Sequence, residues 1–182
     1  MKTLWLRAFC SLALLFVCHA ASATVFKVSF SAQGFDDAPT DPVNGAVWFS
    51  AATQAGPIDR LLGIDLNLGG RQYTLADLAY SSDYYTTYYY AHLAFVGGKQ
   101  DGPNVVTNGN DDFTLAWNMK TLEPIAFYYS TAAQGHTWVA GWGNARITRF
   151  AVTAVPEPST ALLLLAGLGV IAAVRRRRAA QP

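Results

Sequence analysis

Residues 58–75 read IDRLLGIDLNLGGRQYTL, and their order decides the fold class. Leu62, Ile64, Leu66 and Leu68 alternate with Gly63, Asp65 and Asn67, the period of two that a half-buried strand requires. Gly69-Gly70 follows, a pair that tolerates the positive φ values of a two-residue hairpin turn. Arg71–Leu75 (RQYTL) returns from that turn, so the stretch predicts a β-hairpin. One helical turn is expected within Thr74–Tyr80.

The same reading extends in both directions. Upstream, Val25–Phe30 (VFKVSF) sets Phe26, Val28 and Phe30 against Lys27 and Ser29. Gly34–Asn44 holds three aspartates and two prolines and reads as a loop, and Gly45–Ser50 (GAVWFS) as a strand. Downstream, Tyr84–Val96 (YYTTYYYAHLAFV) is dense in aromatic and β-branched residues, which favour strands. Gly97–Asp112 reads as a long loop. Phe113–Asn118 and Ile125–Ser130 are strands around a turn at Thr121–Pro124, and Thr137–Trp142 and Arg146–Val152 are two more. Short strands at regular spacing with Gly, Pro and Asn turns predict an all-β protein with a single antiparallel β-sandwich of jelly-roll type at residues 24–153.

The two ends of the chain read differently from this body. Met1–Ala23 has the parts of a secretory signal peptide: Lys2 and Arg7, an apolar stretch over Leu12–Cys18, and a cleavage site at Ala21-Ser22-Ala23. Val17 before Cys18 is too large for a lipoprotein site. At the other end, Val155–Arg178 reads VPEPSTALLLLAGLGVIAAVRRRR. The sixteen residues from Ser159 to Val174 make a helix of roughly 24 Å, short of the ~30 Å hydrocarbon core. Such a helix spans only with local thinning or snorkelling. Arg175, Arg176, Arg177 and Arg178 fix its cytoplasmic end. Pro156 and Pro158 keep the segment around Glu157 extended at the outer surface.

The order Val155-Pro156-Glu157-Pro158, apolar helix, arginine cluster resembles the PEP-CTERM sorting signal over residues 154–178. The resemblance implies processing by exosortase, a membrane enzyme of exopolysaccharide-making Gram-negative bacteria. It also implies transient anchoring in the inner membrane and delivery to the cell surface or extracellular matrix. Gly45–Thr74 and Asn108–Phe113 are loosely similar to other PEP-CTERM passenger domains, a likeness that carries over no catalytic residue.

Without the two ends, the body holds seven cations (Lys27, Arg60, Arg71, Lys99, Lys120, Arg146 and Arg149). Against them stand ten Asp and Glu123, a net charge of −4. An acidic body without a basic stripe is a poor nucleic-acid binder. Both cysteines, Cys10 and Cys18, lie in the signal peptide. That excludes a disulfide framework, a thiol nucleophile and a Cys-based zinc site in the body.

Three kinds of side chain remain as candidates. Tyr84, Tyr85, Tyr88, Tyr89 and Tyr90, with Trp48, Trp117, Trp138 and Trp142, supply rings for stacking on sugars; packing into the core is the competing use of the same rings. Asp36, Asp37 and Asp41, and separately Asp101, Asn108, Asn110, Asp111 and Asp112, cluster in loops. A calcium site there would centre on Asp111 and Asp112, but neither loop has EF-hand spacing, and Asp and Asn also favour turns for their own hydrogen bonds. For catalysis the body offers His92, His136 and a lone Glu123, without a nucleophile-elbow or zinc-protease motif. The expectation is a non-enzymatic surface or matrix protein with no cofactor, associated with exopolysaccharide. A carbohydrate-binding module is the alternative and a secreted hydrolase the third reading.

Overall fold

The computed structural model describes residues 24–82, 92–141, 143–156 and 167. Ten strands form. β1 (Thr24–Gln33), β2 (Val43–Ala51), β3 (Arg60–Leu68) and β4 (Arg71–Gln72) lead to a 3₁₀ turn at Leu75–Asp77. β5 (Leu78–Ser81), β6 (Leu93–Gly98), β7 (Asp112–Asn118), β8 (Pro124–Thr131), β9 (His136–Ala140) and β10 (Arg146–Val155) follow. They make two five-stranded antiparallel sheets, ordered β10-β1-β2-β3-β4 and β5-β6-β7-β8-β9.

The alternation in β1 works as its sequence requires: Phe26, Val28, Phe30 and Ala32 are buried, and Lys27 lies over the outer face of Trp48 at 4.9 Å. The inner faces of both sheets meet in one apolar cluster. Ring contacts cross it: Phe30–Phe127 at 4.9 Å, Phe49–Trp117 at 6.0 Å and Tyr73–Phe113 at 4.9 Å between centroids. Trp117, Phe113, Phe127 and Tyr129 are essentially inaccessible. Each such ring contributes roughly 2–3 kcal/mol by leaving water, which lets a cysteine-free body hold together.

The structure departs from the sequence reading at four places. The jelly-roll expectation is corrected: every neighbouring pair within a sheet except β1–β10 is consecutive in sequence, so each sheet is a meander rather than a pair of Greek keys. In β3, a bulge sets Trp48 opposite Gly63 but Phe49 opposite Leu61. The extra residue shifts the side-chain phase, and Leu61, not Leu62, packs against the core. The expected helical turn is only Leu75–Asp77, because Leu78–Ser81 pairs with β6. The expected loop from Gly97 to Asp112 is shorter at both ends, since β6 runs through Gly98 and β7 starts at Asp112.

Cross-sheet hydrogen bonds define a loop end and a foot. At the loop end, Trp138 Nε1 donates to Asp36 O at 3.0 Å and Tyr129 Oη to Thr40 O at 2.8 Å. At the foot, Tyr80 Oη donates to Asp59 O at 2.6 Å.

Candidate functional site

The loop end gathers most of the polar side chains that the sequence singles out. The segment between Gly98 and Asp112 folds back over the outer face of the second sheet, so Asp112, Thr114 and Ala116 are buried on the side away from the core. Glycine makes this possible. A Cβ on Gly97 would stand 2.5 Å from Phe113 O and 2.7 Å from Pro103 O. One on Gly98 would overlap the Asp112 carboxylate.

Carboxylates then tie the segment down. Asp112 accepts from Phe113 N at 2.7 Å and Asp101 N at 3.3 Å. Burial nonetheless pushes its pKa above the ordinary carboxylate range. Asp101 accepts from Asn110 Nδ2 at 3.0 and 3.1 Å and from Thr107 N at 3.1 Å. The Asn110 amide is the main reason its carboxyl is held below the ordinary range. Asp111 Oδ1 accepts from Ala132 N at 2.8 Å.

Beside this segment lies a cleft of about 290 Å³ lined by Arg71, Tyr73, Asp77, Lys99 and Asp112 among others. The Arg71 guanidinium sits 4.8 Å over the Tyr73 ring, donates to Asp77 Oδ1 at 3.1 Å and reaches Asp111 O at 3.0 Å. Asp77 Oδ2 also accepts from Thr74 N at 2.9 Å and Thr74 Oγ1 at 2.7 Å. The Thr74 hydroxyl leads in lowering the Asp77 pKa, with Arg71 adding to it. Burial raises the Tyr73 phenol well above its usual value and pushes Tyr129 up to about 12. Both phenols therefore stay protonated at neutral pH.

Of the candidate sugar-stacking rings, Tyr84, Tyr85, Tyr88, Tyr89, Tyr90 and Trp142 lie outside the described residues. Trp117 and Trp138 are core residues, 1% and 5% exposed, and offer no open face. Trp48 is half-buried on the outer face of the first sheet. The candidate calcium pair, Asp111 and Asp112, is turned toward backbone N–H groups and Arg71. Among the described residues no group of three or more His, Cys, Asp or Glu side chains is placed to hold a metal ion. In the other acidic loop, Asp41 accepts from Gly34 N at 3.1 and 3.2 Å. His136 is exposed and stands edge-on to Trp138 at 5.2 Å, far from Glu123, whose carbonyl accepts from Asn118 N in the turn before β8.

Arg71, Asp77, Gly97 and Gly98 build the site without belonging to any of the sequence's candidate clusters. Two local signals mark them. The Thr74…Asp77 spacing is that of a capping box, and a Gly-Gly pair at a strand end signals close backbone approach.

The last strand carries the other candidate site. β10 ends at Val155, and Pro156 is exposed directly after it. Glu157, Pro158, Arg175–Arg178 and the apolar run between them lie outside the described residues, apart from Gly167, as do Ala21 and Ala23. Among the described residues no helix is long and apolar enough to cross a membrane. Residues 154–178 match the family model of the PEP-CTERM protein-sorting motif. The chain carries a PEP-CTERM sorting signal. It is accordingly an exported protein, targeted to exosortase and sent through the membrane to the cell surface. No curated protein and no solved structure matches the chain.

Proposed function

We propose that this PEP-CTERM protein is a non-enzymatic component of the cell surface or extracellular matrix of a Gram-negative bacterium. The tail holds it transiently in the inner membrane, and the β body passes to the exopolysaccharide layer after processing. The sorting signal at 154–178 carries this reading, because it commits the chain to export and surface delivery. The use of the carboxylates supports it. Asp41, Asp77, Asp101, Asp111 and Asp112 each accept from at least one backbone N–H. A glycosidase needs two carboxyl groups free to act on a substrate; Asp77, Asp111 and Asp112 line the cleft beside Arg71, and each is already engaged by a backbone N–H.

The test is mass spectrometry of the extracellular protein from strains with and without exosortase, combined with fractionation of the matrix. With exosortase, the extracellular form lacks Arg175–Arg178 and sediments with exopolysaccharide; in a polysaccharide-null strain it moves to the culture fluid. A protein that keeps its arginines in both strains sinks the sorting claim. An unchanged distribution without polysaccharide sinks the matrix claim.

A further inference from the structure

The sorting signal starts inside the fold. The matched segment begins at Ala154, and Ala154 and Val155 are the last residues of β10, opposite Phe26 and Val25 of β1. β1 in turn pairs Thr24 with Ala51 and Val25 with Ser50. The start of β1, the end of β2 and the end of β10 therefore lie side by side at the foot. Paired strands place opposite Cα atoms only about 5 Å apart. The loop after β2 belongs to the same surface, because Gln54 Nε2 donates to Val152 O at 2.6 Å. That loop, residues 52–57, reads ATQAGP and carries no charge, and Ala52, Thr53, Ala55 and Pro57 are exposed.

Glu157 is two residues beyond Val155. Even fully extended, two residues reach only about 7 Å. With β10 paired to its end, any enzyme that acts on Pro156-Glu157-Pro158 must come within about that distance of the foot. We propose that the foot of the folded body, formed by the start of β1, the uncharged 52–57 loop and the end of β10, is an accessory docking surface for exosortase. The inference rests on the sorting reading above. Within the foot, the 52–57 loop fits a partner embedded in a membrane: a charge at a contact that excludes water is costly, and this loop brings none, the exposed Asp59 and Arg60 standing at its edge.

The experiment follows cleavage of the full-length protein in its exosortase-bearing host by pulse labelling and mass spectrometry of the tail. Ala52→Glu with Ala55→Glu puts two charges on the foot at exposed positions. Ala133→Glu, at an exposed position in the turn between β8 and β9, is the control. A third form adds to the double variant a ten-residue Gly-Ser linker between Val155 and Pro156, with a reach of roughly 18 Å.

The expected result is processing slowed on the order of tenfold in the double variant, unchanged in the control, and restored by the linker. Wild-type processing rates in the double variant overturn the proposal. So does slowed processing that the linker fails to restore, since the charges then act on folding or export rather than on contact with the enzyme. Failure of the sorting reading looks different: the wild-type protein itself keeps its arginines, and the docking surface falls with it.

Discussion

At the loop end, backbone order depends on particular side chains: Asp101 and Asp112 hold residues 99–111 over the second sheet, and Gly97 and Gly98 leave space for them. At the foot, the chain is held by the β1–β2 and β1–β10 ladders and by a few side-chain bonds to backbone carbonyls, from Gln54, Tyr80 and Thr153. The first end is specified atom by atom and tolerates little change. The second is generic ladder with an uncharged loop, which leaves its surface free to meet a partner. Most acidic residues gather at one end: Asp36, Asp37, Asp41, Asp77, Asp101, Asp111 and Asp112 lie at or beside the loop end, whereas the foot keeps the exposed Asp59 and Glu123 next to a 52–57 loop that itself carries no charge.

The contrast breaks most sharply at Gly98. Gly98→Ala drives a methyl into a carboxylate pinned by two backbone N–H groups, and we expect a loss of about 3 kcal/mol or more, read by denaturant unfolding. Asp112→Ala leaves the Phe113 and Asp101 amides without that acceptor and should cost about 2 kcal/mol, with faster hydrogen exchange confined to residues 99–113.

The milder Asp112→Asn sharpens the same point through pH. Because burial raises the Asp112 pKa, the folded state binds this proton more readily than the unfolded chain. Its ionisation therefore costs stability above the folded pKa, and the cost is relieved as pH falls through that value. Asp77 and Asp101 are shifted the other way, so their stabilisation is present above the ordinary value of 3.8 and is lost as pH falls through their lower folded values. Asp112→Asn should remove the acid-side gain above 3.8 and leave the acid loss below it; an unchanged pH profile contradicts this assignment.

At the foot, Gln54→Ala removes one hydrogen bond, about 1 kcal/mol, and should speed exchange at the end of β10 without touching the loop end. The smallest effect belongs to the Arg71–Asp77 pair, read as the coupling in a double-mutant cycle. The pair is exposed, 40% and 30% for the two side chains, so the coupling should be at most about 1 kcal/mol and should shrink in high salt.

The strands were legible where one face is apolar and the other wet. β1 alternates cleanly, β10 does so only beyond the bulge at Thr148, and the hairpin around Gly69-Gly70 forms as its sequence predicts. β7 was legible only as a strand. Its outward residues Asp112, Thr114 and Ala116 look like a solvated face, yet they are buried, because a segment read as a plain loop covers them. Leu61 and Leu62 show a similar limit: a bulge is a property of the pair, and neither strand alone records it. The sorting signal was legible in full because a Pro-Glu-Pro motif, an apolar run and a charge cluster are set by local order in the chain.

By itself the sequence determined the β class, the hairpin, the net acidity of the body and the address at residues 154–178, since periodicity, charge and short motifs are local. Only the tertiary structure decided that each sheet is a meander, that Asp101 and Asp112 hold a loop rather than stand in solvent, and that the sorting signal leaves from beside the start of β1. Those facts depend on which residues meet across long separations. Val25 and Val155 are at opposite ends of the body in sequence and face each other only because β10 closes onto β1.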